Sequence, residues 1–144
     1  MKIKLTDRQK VKTINCCKFV KLAEKICLLA GLHDEPVSFV LCNNRQIKAM
    51  NKKYFGRDCC TDVIAFPLGE QECFGEVFIS VEQAVKECAK YGNDWRDEFT
   101  LYVIHGILHI IGYEDTTPAK KRRMFKKQNA IFNKITNYRL QITN

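Results

Sequence analysis

Residues 95 to 115 read WRDEFTLYVIHGILHIIGYED. From Phe99 to Ile111 almost every position is apolar, so a helix here has no broad polar face and must run through the middle of a domain. Asp94 precedes it as a natural N-cap. Gly112 lets the backbone reverse, and the chain then turns acidic at Glu114 and Asp115. His105 and His109 interrupt the apolar run. Four residues apart on a helix, they project from nearly one face and can aim two imidazoles at one point. Two readings are open at this level. The histidines are satisfied core residues and Asp115 caps the next helix, or they are two metal ligands and the Asp115 carboxylate swings back as the third. Two imidazoles and a carboxylate are an ordinary set for a catalytic metal that keeps an open position. Zinc peptidases use the same histidine spacing with a Glu general base directly after the first His, and here that place is held by Gly106.

Outward from this stretch, the pattern predicts an α/β (α+β) fold, one domain over residues 1–144. MKIKL at residues 1–5 alternates as a short strand. From about Thr13, Ile14, Cys17, Val20, Leu22, Ile26, Leu29 and Ala30 recur at helical spacing up to Gly31. Pro36 opens the strand VSFVLC, after which Asn43 or Asn44 caps a helix through RQIKAMNKKY that Gly56 stops. DVIAFPL and CFGEVFIS read as two more strands. Ser80 caps VEQAVKECAKY, with Gln83 in capping-box position. Thr116 or Thr117 caps a last helix with Pro118 at its first position and Met124, Phe125, Ile131, Phe132 and Ile135 on its apolar side. The result is a small mixed four-stranded sheet packed with about five helices, the central apolar one carrying the histidine pair.

With 46% apolar and 28% charged residues among 144, the chain has the composition of an ordinary globular domain. MKIKLTDRQK has no apolar core of signal-peptide length and no run approaches a membrane span, which predicts a cytoplasmic protein with no membrane partner. The eight cysteines then read as reduced thiols, several of them core residues. Cys16-Cys17 and Cys59-Cys60 are adjacent pairs and CxxC is absent, so the spacing that lets two sulfurs face one zinc is missing. The net charge of +8 is segregated: residues 1–60 hold 13 Lys/Arg against 5 Asp/Glu, 61–115 hold 3 against 11, and 116–144 hold 8 against none. Such a pattern suits an acidic centre that attracts a cation between flanks that meet a polyanion, or simply solvated helix faces.

HGILHIIGYED, together with TDVIAFPL (61–68) and GEVFIS (75–80) upstream, resembles the YbeY family of metal-dependent endoribonucleases and ribosomal RNA maturation factors. The similarity continues through VSFVLCNNRQIKAMNKKYFGRD (37–58) and covers nearly the whole chain. The family motif HGxLHLxGYDH supplies three histidine ligands, usually to zinc. His105 and His109 match the first two, and the third falls on Asp115, with Glu114 the alternative one residue away. An oxygen donor with a negative charge shifts preference toward harder metals. Where the family has YRGKD this chain has YFGRD, so the arginine implicated in activity aligns with Phe55, and Arg57 replaces a lysine. The family GDIxIS appears as GEVFIS, with Glu76 at the acidic position.

The resemblance implies a single-strand-specific endoribonuclease that matures the 3′ end of small-subunit (16S) rRNA and serves in ribosome quality control. It would use one divalent ion, Zn2+, held by His105, His109 and Asp115. Its partners would be single-stranded RNA and the ribosome or its proteins. Arg57 is the expected catalytic cation, and Lys52, Lys53 and the run Lys120, Lys121, Arg122 and Arg123 are the expected RNA-binding residues, giving salt-sensitive contacts with little sequence preference. Tyr54, Phe55 and Tyr113 are candidates to stack a base or to pack in the core. The substitutions at Phe55 and Asp115 leave a ribosome-assembly factor with weak or no nuclease activity as an alternative. A metal-dependent hydrolase of another substrate, such as a peptide, is a further one, disfavoured by Gly106.

Overall fold

A computed structural model describes residues 2–135 and 138–143. In chain order its elements are β1 (Ile3–Asp7), α1 (Cys16–Ala30), β2 (Val37–Cys42), α2 (Asn44–Phe55), β3 (Val63–Pro67), β4 (Gly75–Ser80), α3 (Val81–Tyr91), α4 (Trp95–Ile110) and α5 (Pro118–Lys134), followed by a short 3-10 turn over Arg139–Thr143. The strands form one mixed sheet in the order β1-β2-β4-β3. β1, β2 and β4 run parallel, with Val37 opposite both Ile3 and Gly75. β3 is antiparallel to β4, with Ile64 opposite Phe78, and forms an edge of the sheet.

Each helix start is explained by a side chain that satisfies a free backbone N–H. Asn15, Ser80, Asp94 and Thr117 cap α1, α3, α4 and α5. Asn43 caps α2 in a reciprocal box with Gln46. The expected box at the start of α3 is only half made: Ser80 Oγ accepts from the Gln83 N–H, while the Gln83 amide accepts from Asn44 and donates to Glu87. Long-range partners have taken the group a local rule assigned to the cap.

The sheet has two unequal faces. One carries Phe39, Leu41, Val77 and Ile79 into the main core with α1, α4 and α5. The other buries Val40, Ile64 and Phe78 under Ile47 of α2. α4 is apolar nearly all round because it is covered nearly all round: Phe99, Val103, Ile104, Ile107 and Leu108 are fully buried. Its approach to the sheet is close enough that a Cβ on Gly106 would collide with a Val77 methyl and lie 3.1 Å from Val63 Cγ2. Gly75 at the start of β4 meets Ile110 in the same way.

Four details of the sequence reading are corrected. α1 begins at Cys16 because Asn15 accepts the Lys18 N–H, not at Thr13. Its inner stripe is Phe19, Leu22, Ala23, Ile26 and Cys27, which leaves Cys17 exposed. On α5 the buried line is Met124 and Ile131, and Phe125, about 100° around the helix from Met124, is 60% exposed. The first strand starts at Ile3, and Met1 lies outside the described residues. No described helix is long and apolar enough to cross a membrane.

All eight cysteines are free. Burial raises the Cys27 thiol to about 12 and the Cys42 thiol to about 11, so neither forms thiolate readily. Alkylation of the native protein, followed by peptide mass spectrometry, is expected to label exposed Cys16, Cys17, Cys59 and Cys60 first, and Cys27 and Cys42 only on unfolding. Gly106→Ala is expected to destabilise the fold by about 1–3 kcal/mol through overpacking against Val77, read as a lower urea midpoint at unchanged slope.

Candidate metal centre

α4 ends where its last carbonyls are taken up by a turn. The N–H groups of Ile111, Gly112 and Tyr113 bond to the carbonyls of Ile107, His109 and Leu108, and Gly112 sits at φ 107°, a left-handed conformation suited to glycine. That reversal returns residues 113–115 alongside the last turn of the helix. His105 Nε2 and His109 Nε2 lie 2.9 Å apart, and Asp115 Oδ2 is 3.9 Å from each. The three side chains form a group whose ligand atoms all fall within 4.8 Å of one another. Glu114 turns the other way: its carboxylate accepts from Lys120 Nζ at 2.7 Å, and that bond holds its pKa below the ordinary value. The carboxylate that joins the histidines is Asp115.

The outer nitrogens decide what this group can hold. His105 Nδ1 lies 3.1 Å from Gln128 Oε1, and His109 Nδ1 lies 3.1 Å from the Tyr113 carbonyl. Both partners are placed as acceptors, an arrangement that favours the tautomers with the hydrogen on Nδ1. The two Nε2 lone pairs then face each other across 2.9 Å, with a carboxylate beside them. Such an arrangement calls for a cation between them, and imidazoles oriented by an outer carbonyl or amide are the usual support of a metal site. Burial and the neighbouring His105 lower the His109 pKa, which favours the neutral form that ligates. The donor set therefore fits a divalent ion.

Beside the centre lies an open cleft of about 690 Å³, along the free edge of β3 and between the C-terminal ends of α2 and α4. His109 and Tyr113 line one wall and Asn51, Phe55 and Arg57 the other, with Val63 and Ala65 of the edge strand at its floor. Asn51 is what holds Arg57 there. Its backbone carbonyl accepts from the Arg57 N–H at 3.3 Å and its side-chain amide donates to the Cys59 carbonyl at 3.0 Å, so one buried residue brackets the loop. Gly56, at φ 68°, makes the turn.

The other cations expected at the site are dispersed. Lys53 borders a separate groove with Arg8 and Tyr54, and exposed Lys52 lines neither. Lys120 and Arg123 border a small hollow beyond Tyr113, with the Arg123 guanidinium 5.6 Å from the Tyr113 ring centre. Lys121 lines another hollow with His105, Asp115 and Gln128. Arg122 is exposed. A run of four residues on a helix spans nearly a full turn, so it cannot present one face. Asn51 and Gln128 were not singled out from the sequence. Gln128 does carry a signal: it stands on the inward line of α5 between Met124 and Ile131, a polar residue where the period calls for an apolar one. Gly106 faces Val77, so a carboxylate general base has no room at that position.

A family model described as endoribonuclease YbeY matches residues 2–136. Among the curated relatives, an endoribonuclease YbeY from Petrotoga mobilis is 32% identical, the match covering 94% of this chain and 96% of that protein. One from Geobacter sulfurreducens is 34% identical, with 95% and 97% covered. A solution structure of a Thermotoga maritima protein superposes with a TM-score of 0.69 at 27% identity, covering 94% of this chain and 89% of that one.

Three variants test the ligand set by metal content and equilibrium metal titration of the full chain. Asp115→Ala is expected to lose most bound metal, and undiminished content would remove Asp115 from the set. Gln128→Leu, which leaves His105 without its outer partner, is expected to weaken binding about 10–100-fold. Asp115→His is expected to raise the preference for zinc over manganese, since nitrogen replaces a harder oxygen donor.

Proposed function

The chain belongs to the YbeY family of metal-dependent endoribonucleases, and from that premise we propose that it cleaves single-stranded RNA in the cleft between His109 and Arg57. The observation that carries this is a group of two facing imidazoles and a carboxylate, one member of which, His109, lines the open cleft that also holds the exposed Arg57. His105, His109 and Asp115 would hold one divalent ion, Zn2+ in this proposal. When bound, the ion supplies Lewis acidity, drawing electron density from a phosphate and making water a better nucleophile. Arg57 binds the phosphate and offsets the charge that develops on its oxygens. Gln128 and the Tyr113 carbonyl keep both imidazoles turned inward. The cleft volume falls in the roughly 300–1,000 Å³ range of small-ligand sites, which suits an extended strand entering a nucleotide or two at a time better than a paired helix.

The finer reading is maturation of the 3′ end of 16S rRNA and ribosome quality control in the cytoplasm. In support, the segment 116–144, with eight basic and no acidic residues, adds phosphate contacts on the α5 side. The same contacts suit docking on the ribosome. A second reading, an assembly factor of this fold with weak nuclease activity, is favoured by Phe55 in the cleft wall and Asp115 among the ligands. Peptide hydrolysis is disfavoured because Gly106 faces the sheet and Glu114 is paired with Lys120.

Wild type is expected to cleave a single-stranded oligoribonucleotide, with at least a hundredfold loss on chelation or in His109→Ala. Arg57→Ala is expected to lower kcat/KM about 10–100-fold and to reduce the slope of log affinity on log salt by about one. Equal cleavage by wild type and His109→Ala, indifferent to chelator, would sink the nuclease proposal. RNA binding without cleavage in wild type would favour the assembly-factor reading.

A further inference from the structure

Phe55 ends α2 and is 52% exposed as a residue. One side is occupied: the ring lies nearly parallel to Phe66, with 10° between planes and 6.0 Å between centroids. Phe66 is braced edge-on by Tyr54 at 5.5 Å and by Phe78 at 5.9 Å. Phe55 is thus the outer plate of an aromatic stack, with its orientation set from behind. Single exposed aromatics are common and usually mean nothing. This one lines the same cleft as Arg57 and His109. The other aromatics near the cleft are engaged: Tyr113 lies under the Arg123 guanidinium, and Tyr54 lies against Phe66 with Lys53 Nζ 5.3 Å from its ring centre.

We infer that Phe55 is a base-stacking residue: the unpaired nucleobase next to the phosphate bound at Arg57 lies on the open face of its ring. The inference rests on the endoribonuclease proposal and deepens it by naming what the cleft recognises. A cation for the phosphate and a π-face for the base, in one groove, are the two requirements of single-strand nucleic-acid binding. An apolar peptide side chain would use the ring but leave the cation without a counter-charge. A duplex would satisfy the cation but keep its base faces stacked on one another. Because every base has a π-face, the contact tolerates all four bases while selecting for unpaired ones. Phe55 would thereby contribute strand selectivity, and Arg57 the salt-dependent affinity.

The test uses the full chain in a His109→Ala background with chelator, so that the strand stays intact. The probe is a short single-stranded oligoribonucleotide containing 2-aminopurine, whose fluorescence is quenched on stacking. With Phe55 present, binding is expected to quench the probe. Phe55→Ala is expected to raise Kd about tenfold and restore fluorescence, with the salt slope unchanged. Phe55→Trp is expected to retain both. Phe55→Leu, which preserves apolar bulk and whose fold is checked by thermal melting, is expected to behave like Phe55→Ala. Binding and quenching unchanged in both Phe55→Ala and Phe55→Leu would overturn the inference and leave the nuclease proposal standing. So would a Phe55→Leu protein that binds and quenches like the parent, since that is apolar contact alone. Failure of every protein, the Phe55 parent included, to bind the probe would overturn both.

Discussion

The absence of a side chain at Gly106 sets how closely α4 can lie against the sheet. A Val77 methyl fills the volume a Cβ would need, so helix and strand meet nearly backbone to side chain. Gly75 repeats the device one turn later against Ile110. With that face of α4 committed to β4, His105 reaches Gln128 of α5 and His109 reaches the carbonyl of the returning turn at Tyr113. The direction of the histidines is thus set by packing. Their tautomers are a separate matter, settled by Gln128 and the Tyr113 carbonyl. Two kinds of force act in sequence: apolar contact aims the helix, and two hydrogen bonds then finish the ligands.

The cleft has a comparable division of labour. β3 is an edge strand, and edge strands expose backbone that natural proteins usually shield. Here the ends of α2 and α4 flank the edge and turn a liability into a groove with one wall from each helix. The acidic character of residues 61–115 does not gather at the metal centre alone. Near the start of α4, burial raises the Glu98 pKa, with Glu87 and Asp62 adding to it.

The elements were legible because period, cap and glycine agreed along the chain. Asn43 to Gly56 is an example, with both ends of α2 and its apolar contact written locally. Asp115 is found in its expected neighbourhood, its carboxylate beside the two histidines, and the Glu114–Lys120 pair explains why Glu114 is diverted. The misses share one cause. Phe125, Cys17 and the unused half of the box at Gln83 all depend on which neighbours arrive from distant sequence, and a local pattern carries no record of that. The basic run at 120–123 is spread around α5, since adjacency in a helix scatters side chains, and its members border different hollows. The side chains of Asn51 and Gln128 act through hydrogen bonds to partners 8 and 23 residues away, and only the folded arrangement reveals them.

The three side chains that converge at the candidate metal centre all come from one eleven-residue stretch, and His109 bonds to the carbonyl of its own turn at Tyr113. The ligand contacts themselves are mostly short along the chain, while Gln128 and the packing of Gly106 on Val77 support them from a distance. Contacts short along the chain have low loop-closure entropy and form early. An ion bridging residues 105 and 115 would clamp the last turn of α4 to the loop beyond it, a cross-link across the end of the most buried helix. Metal occupancy would then bear on the order in which the chain folds as much as on what the folded protein does, because the clamp can close before the distant strands have met.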